Sequence, residues 1–122
     1  MATVRYMVGD VEQALRFYTE KLGFSLVERW GPAFAVIALE DLTLWVSGPD
    51  TSAARPMPDG RRPEPGGWNR IVIQVHDIHA LVKTLREAGV RFRNEIITGP
   101  GGSQVLIEDP SGNPIELFQE PD

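Results

Sequence analysis

Five side chains that could bind a small molecule lie on three short apolar segments, and those in the same segment are separated by an even number of positions. The residues are Arg5, Arg70, Gln74, Glu116 and Phe118. Because side chains alternate between the two faces of a β-strand, the parity within each segment assigns them to one face. That face would mix ionic and amide groups with apolar ones, as a small-molecule pocket requires. An ordinary solvated sheet face is the alternative, although it does not account for Phe118, Met7 and Val72.

Two tryptophans, Trp30 and Trp68, stand beside predicted strands and next to turn-forming residues. Each is either a pocket wall that stacks on a flat ligand or a loop residue anchored on the edge of the core. The sequence leaves both interpretations open.

Other residue types that carry catalysis are scarce in this chain. There is no cysteine, which excludes a thiolate metal site, a cysteine nucleophile and a disulfide framework. His76 and His79 are close in sequence but fall outside the predicted pocket face, and we interpret both as surface residues. Segment 99–102 has glycines but lacks the Lys and Ser/Thr of a phosphate-binding loop, so it predicts a hairpin or loop.

The charge and hydropathy of the chain argue against two classes of partner. The 122 residues carry a formal net charge of −5, the opposite sign to that of a protein that binds nucleic acid by counterion release. No apolar run approaches the roughly 20 residues of a membrane span, and the N-terminus lacks a basic-then-apolar signal. We therefore expect a cytoplasmic protein that binds neither nucleic acid nor membranes.

A repeated pattern divides the chain into two similar halves. Residues 8–15 reappear as residues 75–81, each with an aspartate, Asp10 or Asp77, that fits a helix N-cap. Gly23 and Gly89 follow where a left-handed residue would end the helix. A strand precedes each helix, and three extended segments come after it, so the predicted order is βαβββ twice. These segments are 25–29, 34–39 and 42–46 in the first half and 91–97, 104–108 and 114–119 in the second.

We predict a single domain, 1–122, built from two modules and a long connection. The first module is at about 1–47, the connecting loop at 48–67 and the second module at about 68–122. A stretch of this length without periodicity is either a linker or a functional loop. With Arg55, Met57 and Arg61, it either covers a cavity as a lid or bridges the modules.

The tandem pattern and two motifs resemble the vicinal oxygen chelate superfamily. The motifs are Phe17-Tyr18 followed by Leu22-Gly23-Phe24, and the segment DPSGNPIEL at 109–117. This superfamily includes glyoxalase I, extradiol dioxygenases, fosfomycin-resistance transferases and bleomycin-resistance proteins. The resemblance implies an α+β fold whose two βαβββ modules form a cup-shaped, partly open mixed β-sheet with helices outside. It also implies a homodimer.

The resemblance also indicates where a metal would bind. Metal-dependent members carry His and Glu ligands on the first and last strands of each module, and the matching positions here are Thr3, Leu44, Arg70 and Glu116. Only Glu116 matches, because Leu has no donor atom and Arg has no lone pair to give. We therefore expect no cofactor and no usual metal site. Since first and last strands are neighbours in this fold, we expect Arg70 and Glu116 to form a bidentate ion pair, which either satisfies two buried groups or presents spare donors to a ligand. If Leu44 points into the pocket, as the family resemblance implies, then Trp45 has the opposite parity and is expected to lie in the core beneath a helix.

Three functional hypotheses follow. The first is a metal-free protein that sequesters a small cationic or aromatic molecule, in the manner of bleomycin resistance. The second is a metal-dependent lyase, isomerase or dioxygenase that uses Glu116 with unconventional ligands. The third is a metal-free enzyme with Glu116 as general base, which we rank last because a neighbouring Arg would weaken that base. Whether the chain is an enzyme stays open.

Overall fold

A computed structural model describes residues 2–122 and confirms the α+β class predicted from the sequence. The chain divides into two compact units, with the boundary between Gly66 and Gly67. Each unit holds one helix and one mixed sheet. Within residues 2–122, no helix is long and apolar enough to cross a membrane. The single-domain organisation with modules at 1–47 and 68–122 stays a prediction.

Unit 1 contains a four-stranded sheet, and its elements match the predicted order. They are β1 (Val4–Met7), α1 (Val11–Leu22), β2 (Ser25–Trp30), β3 (Phe34–Leu39) and β4 (Leu42–Ser47), followed by the short 3₁₀ helix Ser52–Ala54. The strand order is β1-β4-β3-β2. β1 runs parallel to β4, whereas the other pairs are antiparallel. β1 and β2 are therefore the two outer strands of this sheet.

The ends of α1 follow from its sequence. The Asp10 carboxylate accepts a hydrogen bond from the backbone N–H of Gln13 at 3.0 Å, which satisfies one of the unpaired groups of the first turn. Gly23 ends the helix with a φ of 79°, a conformation that an L side chain rarely adopts. One face of the helix is buried, which includes Val11, Ala14 and Tyr18. The helix contacts β2, β3 and β4, so the opposite face of the sheet is left uncovered by it.

Unit 2 contains a five-stranded sheet and differs from the prediction at one strand. Its elements are β5 (Ile71–Gln74), α2 (Ile78–Glu87), β6 (Arg91–Phe92), β7 (Ile97–Gly99), β8 (Gly102–Glu108) and β9 (Pro114–Gln119). β5 runs parallel to β9, and β8 pairs with β9, β6 and β7. β7 and β8 form the hairpin predicted around segment 99–102.

The prediction of a single strand at 91–97 is wrong, because residues 93–96 are not paired in register with β8. Four residues, 93–96, lie opposite only two residues of β8, 105 and 106. The Asn94 side chain causes part of this interruption, since its Oδ1 accepts the backbone N–H of Leu106 at 2.9 Å. A side-chain oxygen thus takes the place of a backbone carbonyl, which is a known way for Asn to compete with regular structure.

Candidate functional site

The uncovered face of the unit 1 sheet carries two rows of side chains that run across all four strands. Paired residues on neighbouring strands point to the same face, so the register defines each row. The first row is Glu28, Val36, Trp45 and Arg5, and the second is Trp30, Phe34, Ser47 and Met7. The face therefore joins two charged groups at its outer strands to an aromatic middle.

A cavity of about 590 Å³ lies on this face. Its lining includes Arg5, Glu28, Trp30, Phe34 and Trp45, and the loop after β4 adds Thr51 and Ser52. This volume falls within the range of about 300–1,000 Å³ typical of small-molecule sites. Two predicted ligand-binding residues, Arg5 and Trp30, are thus brought to one cavity.

A β-bulge in β2 decides which of its side chains reach the cavity. Leu26 pairs with Ile37, whereas Glu28 pairs with Val36, so Val27 has no partner across the ladder. The extra residue reverses the alternation, because a slip of one residue moves every later side chain to the other face. Without the bulge, Glu28 would share the helix-covered face with Leu26.

Arg5 is held over the aromatic middle of the face. One terminal nitrogen donates to the Ser47 Oγ at 3.0 Å. The guanidinium carbon lies 4.9 Å from the centroid of the Trp45 ring and 6.0 Å from that of Phe34. The Phe34 and Trp45 rings meet edge to face at 5.8 Å and 79°. Cation–π contact and the edge-to-face pair together fix the positions of all three side chains.

The prediction that Trp45 lies in the core is wrong, and so is the use of Leu44 as the counterpart of Glu116. Leu44 is fully buried, whereas Trp45 is 36% exposed and lines the cavity. The register explains both errors, because Trp45 pairs with Arg5 just as Glu116 pairs with Val72. The position of unit 1 that corresponds to Glu116 is therefore occupied by an indole, which offers no lone pair to a metal.

The connecting loop contributes only its first residues to the cavity. Thr51 and Ser52 belong to the lining, whereas the lid candidates Arg55, Met57 and Arg61 do not. Arg61 forms an exposed ion pair with Asp59 at 2.7 Å, and the Met57 N–H donates to the Arg61 carbonyl at 2.7 Å. These contacts fold the middle of the loop on itself.

In unit 2 the predicted pair of Arg70 and Glu116 forms, but with a different geometry. The Arg70 Nε and a terminal nitrogen both donate to the same oxygen, Glu116 Oε1, at 3.1 and 2.8 Å. The expected bidentate arrangement, with one nitrogen on each oxygen, is therefore wrong. Another Arg70 nitrogen donates to the Trp68 carbonyl at 3.3 Å. The Glu116 side chain is 10% exposed and that of Arg70 is 32% exposed.

The remaining predicted site residues also lie in unit 2. Gln74 and Phe118 pair across β5 and β9, two residues along from Glu116, so they share its face. The Trp68 ring lies 4.7 Å from the Arg93 guanidinium carbon, and it is 69% exposed. Binding by Trp68, Arg70, Gln74, Glu116 and Phe118 stays a prediction.

The residues at the expected metal positions do not fit a metal. Arg70 already neutralises Glu116, and its own charge repels a second cation. His76 and His79 are exposed, as predicted for surface residues. Among residues 2–122, no group of three His, Cys, Asp or Glu side chains lies close enough to hold an ion. Structural and catalytic metal sites typically use three or more protein ligands.

Six lining residues were missed by the sequence analysis: Thr51 and Ser52 in the loop after β4, and four on the strands. Glu28 was hidden by the bulge, which no parity argument anticipates. Phe34 and Val36 lie in β3, where every residue is apolar, so alternation gives no signal. Trp45 was assigned to the wrong face. The sequence did hold a signal for Trp45: if the first and last strands of the module are parallel neighbours, Trp45 can pair with Arg5 and share its face.

Comparison with known proteins identifies the family of this chain. A family model described as the Glyoxalase/Bleomycin resistance protein/Dioxygenase superfamily matches residues 1–117. The chain belongs to this superfamily. The resemblance noted from the sequence motifs is confirmed.

Three relatives illustrate the range of this superfamily. The chain is 27% identical to lactoylglutathione lyase GLX1 of Arabidopsis thaliana over 95% of its own length, but it spans only 42% of that protein. It is 26% identical to a bleomycin resistance protein of Geobacillus stearothermophilus, over 93% of this chain and 91% of that protein. The crystal structure of TnmS3, an antibiotic binding protein from Streptomyces sp. CB03234, matches with a TM-score of 0.71 at 26% identity, over 99% of this chain and 97% of that chain.

Proposed function

We propose that this superfamily member binds a small planar aromatic molecule on the cavity face of unit 1 and sequesters it without chemical change. The observation that carries the proposal is the cavity of about 590 Å³ whose wall combines Trp30, Phe34 and Trp45 with the Arg5 guanidinium. Aromatic rings offer a large contact area with little conformational freedom to lose. Each well-placed ring contact adds about 0.5–1.5 kcal/mol beyond area burial.

The exposure of the tryptophans supports this proposal. Trp30 is 63% exposed and Trp45 is 36% exposed, although both border a concave surface. A large aromatic side chain left in water on a cavity wall can still gain burial when a ligand covers it. Two relatives that the chain matches over nearly their whole length are a bleomycin resistance protein and an antibiotic binding protein, which favours the same class of function.

A metal-dependent reaction is the competing function, and the donor set weighs against it. The residues at the expected ligand positions of unit 2 are an arginine and the carboxylate that it pairs with. In unit 1 the position equivalent to Glu116 is an indole. The chain matches less than half of the plant lyase, so the activity of that protein does not transfer to it.

Binding is tested by thermal unfolding of the purified protein with metal-free bleomycin and a panel of planar aromatic drugs. A ligand at one hundred times its Kd raises the free energy of unfolding by about 2.7 kcal/mol, which gives a clear rise in Tm. Ligands that stabilise the protein are then titrated by calorimetry. Mass spectrometry after prolonged incubation should recover each ligand unchanged.

The Trp30→Ala and Trp68→Ala variants form a matched pair, since both side chains are more than 60% exposed. We expect Trp30→Ala to weaken binding about tenfold, or about 1.4 kcal/mol, and Trp68→Ala to leave it unchanged. Binding that is lost in Trp68→Ala and kept in Trp30→Ala would move the site to unit 2. A stoichiometric metal ion in protein purified without chelators, or turnover of the ligand, would refute sequestration.

A further inference from the structure

The cavity of unit 1 has a carboxylate at one end and a guanidinium at the other. Glu28 lies on β2 and Arg5 lies on β1, the two outer strands of the sheet, and both belong to the same cross-strand row. Three strand spacings of about 4.8 Å separate their backbones by about 14 Å. This exceeds the Debye length of about 8 Å at physiological salt, so the two charges do not neutralise each other.

Among the residues that the structure describes, Glu28 has no counter-ion, because the alternation of β2 places the neighbouring arginine on the opposite face. Arg29 lies on the other face, where a terminal nitrogen bonds to the Glu12 carboxylate of α1 at 2.7 Å. Its Nε donates to the Gly31 carbonyl at 3.0 Å. Within residues 2–122, the Glu28 side chain has neither a salt bridge nor a hydrogen bond, yet it lines the cavity.

Arg5 is fixed in place but keeps most of its donors. A guanidinium carries five N–H groups, and the bond to the Ser47 Oγ uses one of them. The stacking on Trp45 involves the face of the guanidinium and leaves its edge available. Arg5 forms no salt bridge in the part of the chain that the structure describes. Its edge can therefore meet a carboxylate or another strong acceptor.

From this arrangement we propose that the cavity selects a dipolar ligand, a planar aromatic system with a cationic group that pairs with Glu28 and an anionic group that pairs with Arg5. The inference rests on the proposed function and names its ligand class. Charges placed at the two ends of an aromatic wall fix the direction in which a flat ligand lies. They also disfavour the reversed orientation of that ligand, and any ligand with like charges at both ends, because at least one of its charges would then face repulsion.

Four related compounds test this inference. The first is an aminomethyl naphthoic acid whose amine and carboxylate lie at opposite ends of the two fused rings. Its methyl ester carries only the cation, its hydroxymethyl analogue carries only the anion, and the hydroxymethyl methyl ester is neutral. Their dissociation constants are measured by calorimetry at neutral pH and about 0.15 M salt, at which the two protein charges are screened from each other. We expect each charge to tighten binding about threefold, so that the dipolar compound binds about tenfold more tightly than the neutral one.

Two variants assign each charge to its partner. Glu28→Gln should abolish the advantage of the cation and leave the affinity of the anionic and neutral compounds unchanged. Arg5→Gln should abolish the advantage of the anion, and the neutral compound reports any loss of stacking in the same variant. Glu20→Gln is the matched control, because this exposed glutamate belongs to α1, which packs on the other face of the sheet.

The results separate this inference from the proposed function. Equal affinity for all four compounds, or a Glu28→Gln variant that weakens the neutral compound as much as the cationic one, would overturn the dipolar ligand class. If binding of the neutral compound is nevertheless lost in Trp30→Ala, the aromatic site stands and only the charge selection fails. Absence of binding by all four compounds would overturn both.

Discussion

Replacing Arg70 by methionine should destabilise unit 2 by leaving a buried carboxylate without its guanidinium. The Glu116 side chain is only 10% exposed, and both hydrogen bonds from Arg70 end on its Oε1. Removing one partner of a fully buried pair costs about 3–5 kcal/mol. Because the Arg70 side chain is itself 32% exposed, water screens part of the pair. We therefore expect Arg70→Met to lower the free energy of unfolding by about 2 kcal/mol.

The magnitude can be measured as a shift in Tm or in the urea midpoint. For a chain of 122 residues, the entropy of unfolding converts 1 kcal/mol into about 4 °C, so Arg70→Met should lower Tm by about 8 °C. Arg61→Met is the matched control. Its partner is Asp59, and side-chain exposures of 84% and 53% predict a loss below about 0.5 kcal/mol.

A double-mutant cycle with Glu116→Leu isolates the interaction itself. Replacing both partners by apolar side chains removes the unpaired charge, so the double variant should be less destabilised than the sum of the single variants by at least about 1 kcal/mol. A coupling energy near zero would show that the pair does not stabilise unit 2. A Tm unchanged by Arg70→Met would refute the reasoning from burial as a whole.

Three further predictions follow from packing and hydrogen bonding, and the free energy of unfolding is measured in each by urea denaturation. Asp109→Ala should cost about 3 kcal/mol, because the fully buried carboxylate accepts two backbone N–H groups of the following turn at 2.9 Å, and a loss below about 1 kcal/mol would contradict this. Gly102→Ala should cost more than about 2 kcal/mol, since its φ is 130° and a Cβ would meet a carbonyl oxygen of β9, whereas Gly101→Ala has open space and should be neutral. Leu44→Ala should cost about 3 kcal/mol and Trp45→Ala less than half of that, with ligand binding reduced only in the Trp45 variant. A larger loss of unfolding free energy in Trp45→Ala than in Leu44→Ala would show that Trp45 belongs to the core.

The sequence predicted the helices and most strands because their signals are local. Asp10 and Asp77 both cap helices, and each accepts a backbone N–H three residues later at 3.0 Å. The predicted bounds of β3 and β9 agree with the structure. These elements have caps, turns and periodicity within a few residues of one another, so no distant contact is needed to find them.

The candidate site was predicted less well, because the face to which each of its side chains points depends on the register between neighbouring strands. One extra residue, Val27, moves Glu28 and Trp30 to the cavity face, and nothing in the local pattern announces it. The interruption between β6 and β7 is similar, since it depends on the Asn94 side chain meeting the backbone of Leu106. The bulge and the interruption are both defined by how one strand pairs with its neighbour. The alternation of residues along a single strand carries no information about that pairing.

In each unit an arginine on the first strand, or directly before it, contacts a side chain of the last strand, although the two contacts differ in kind. In unit 1 the Arg5 guanidinium stacks on Trp45, and in unit 2 the Arg70 guanidinium bonds to Glu116. Trp45 and Glu116 hold equivalent positions in their sheets. A fixed cation on each face makes binding of a divalent metal unfavourable there, and it favours a ligand that offers acceptors or π-electrons. The two arginines therefore support recognition of an organic ligand in place of metal chemistry, and the unpaired edge of Arg5 makes unit 1 the better candidate for its binding.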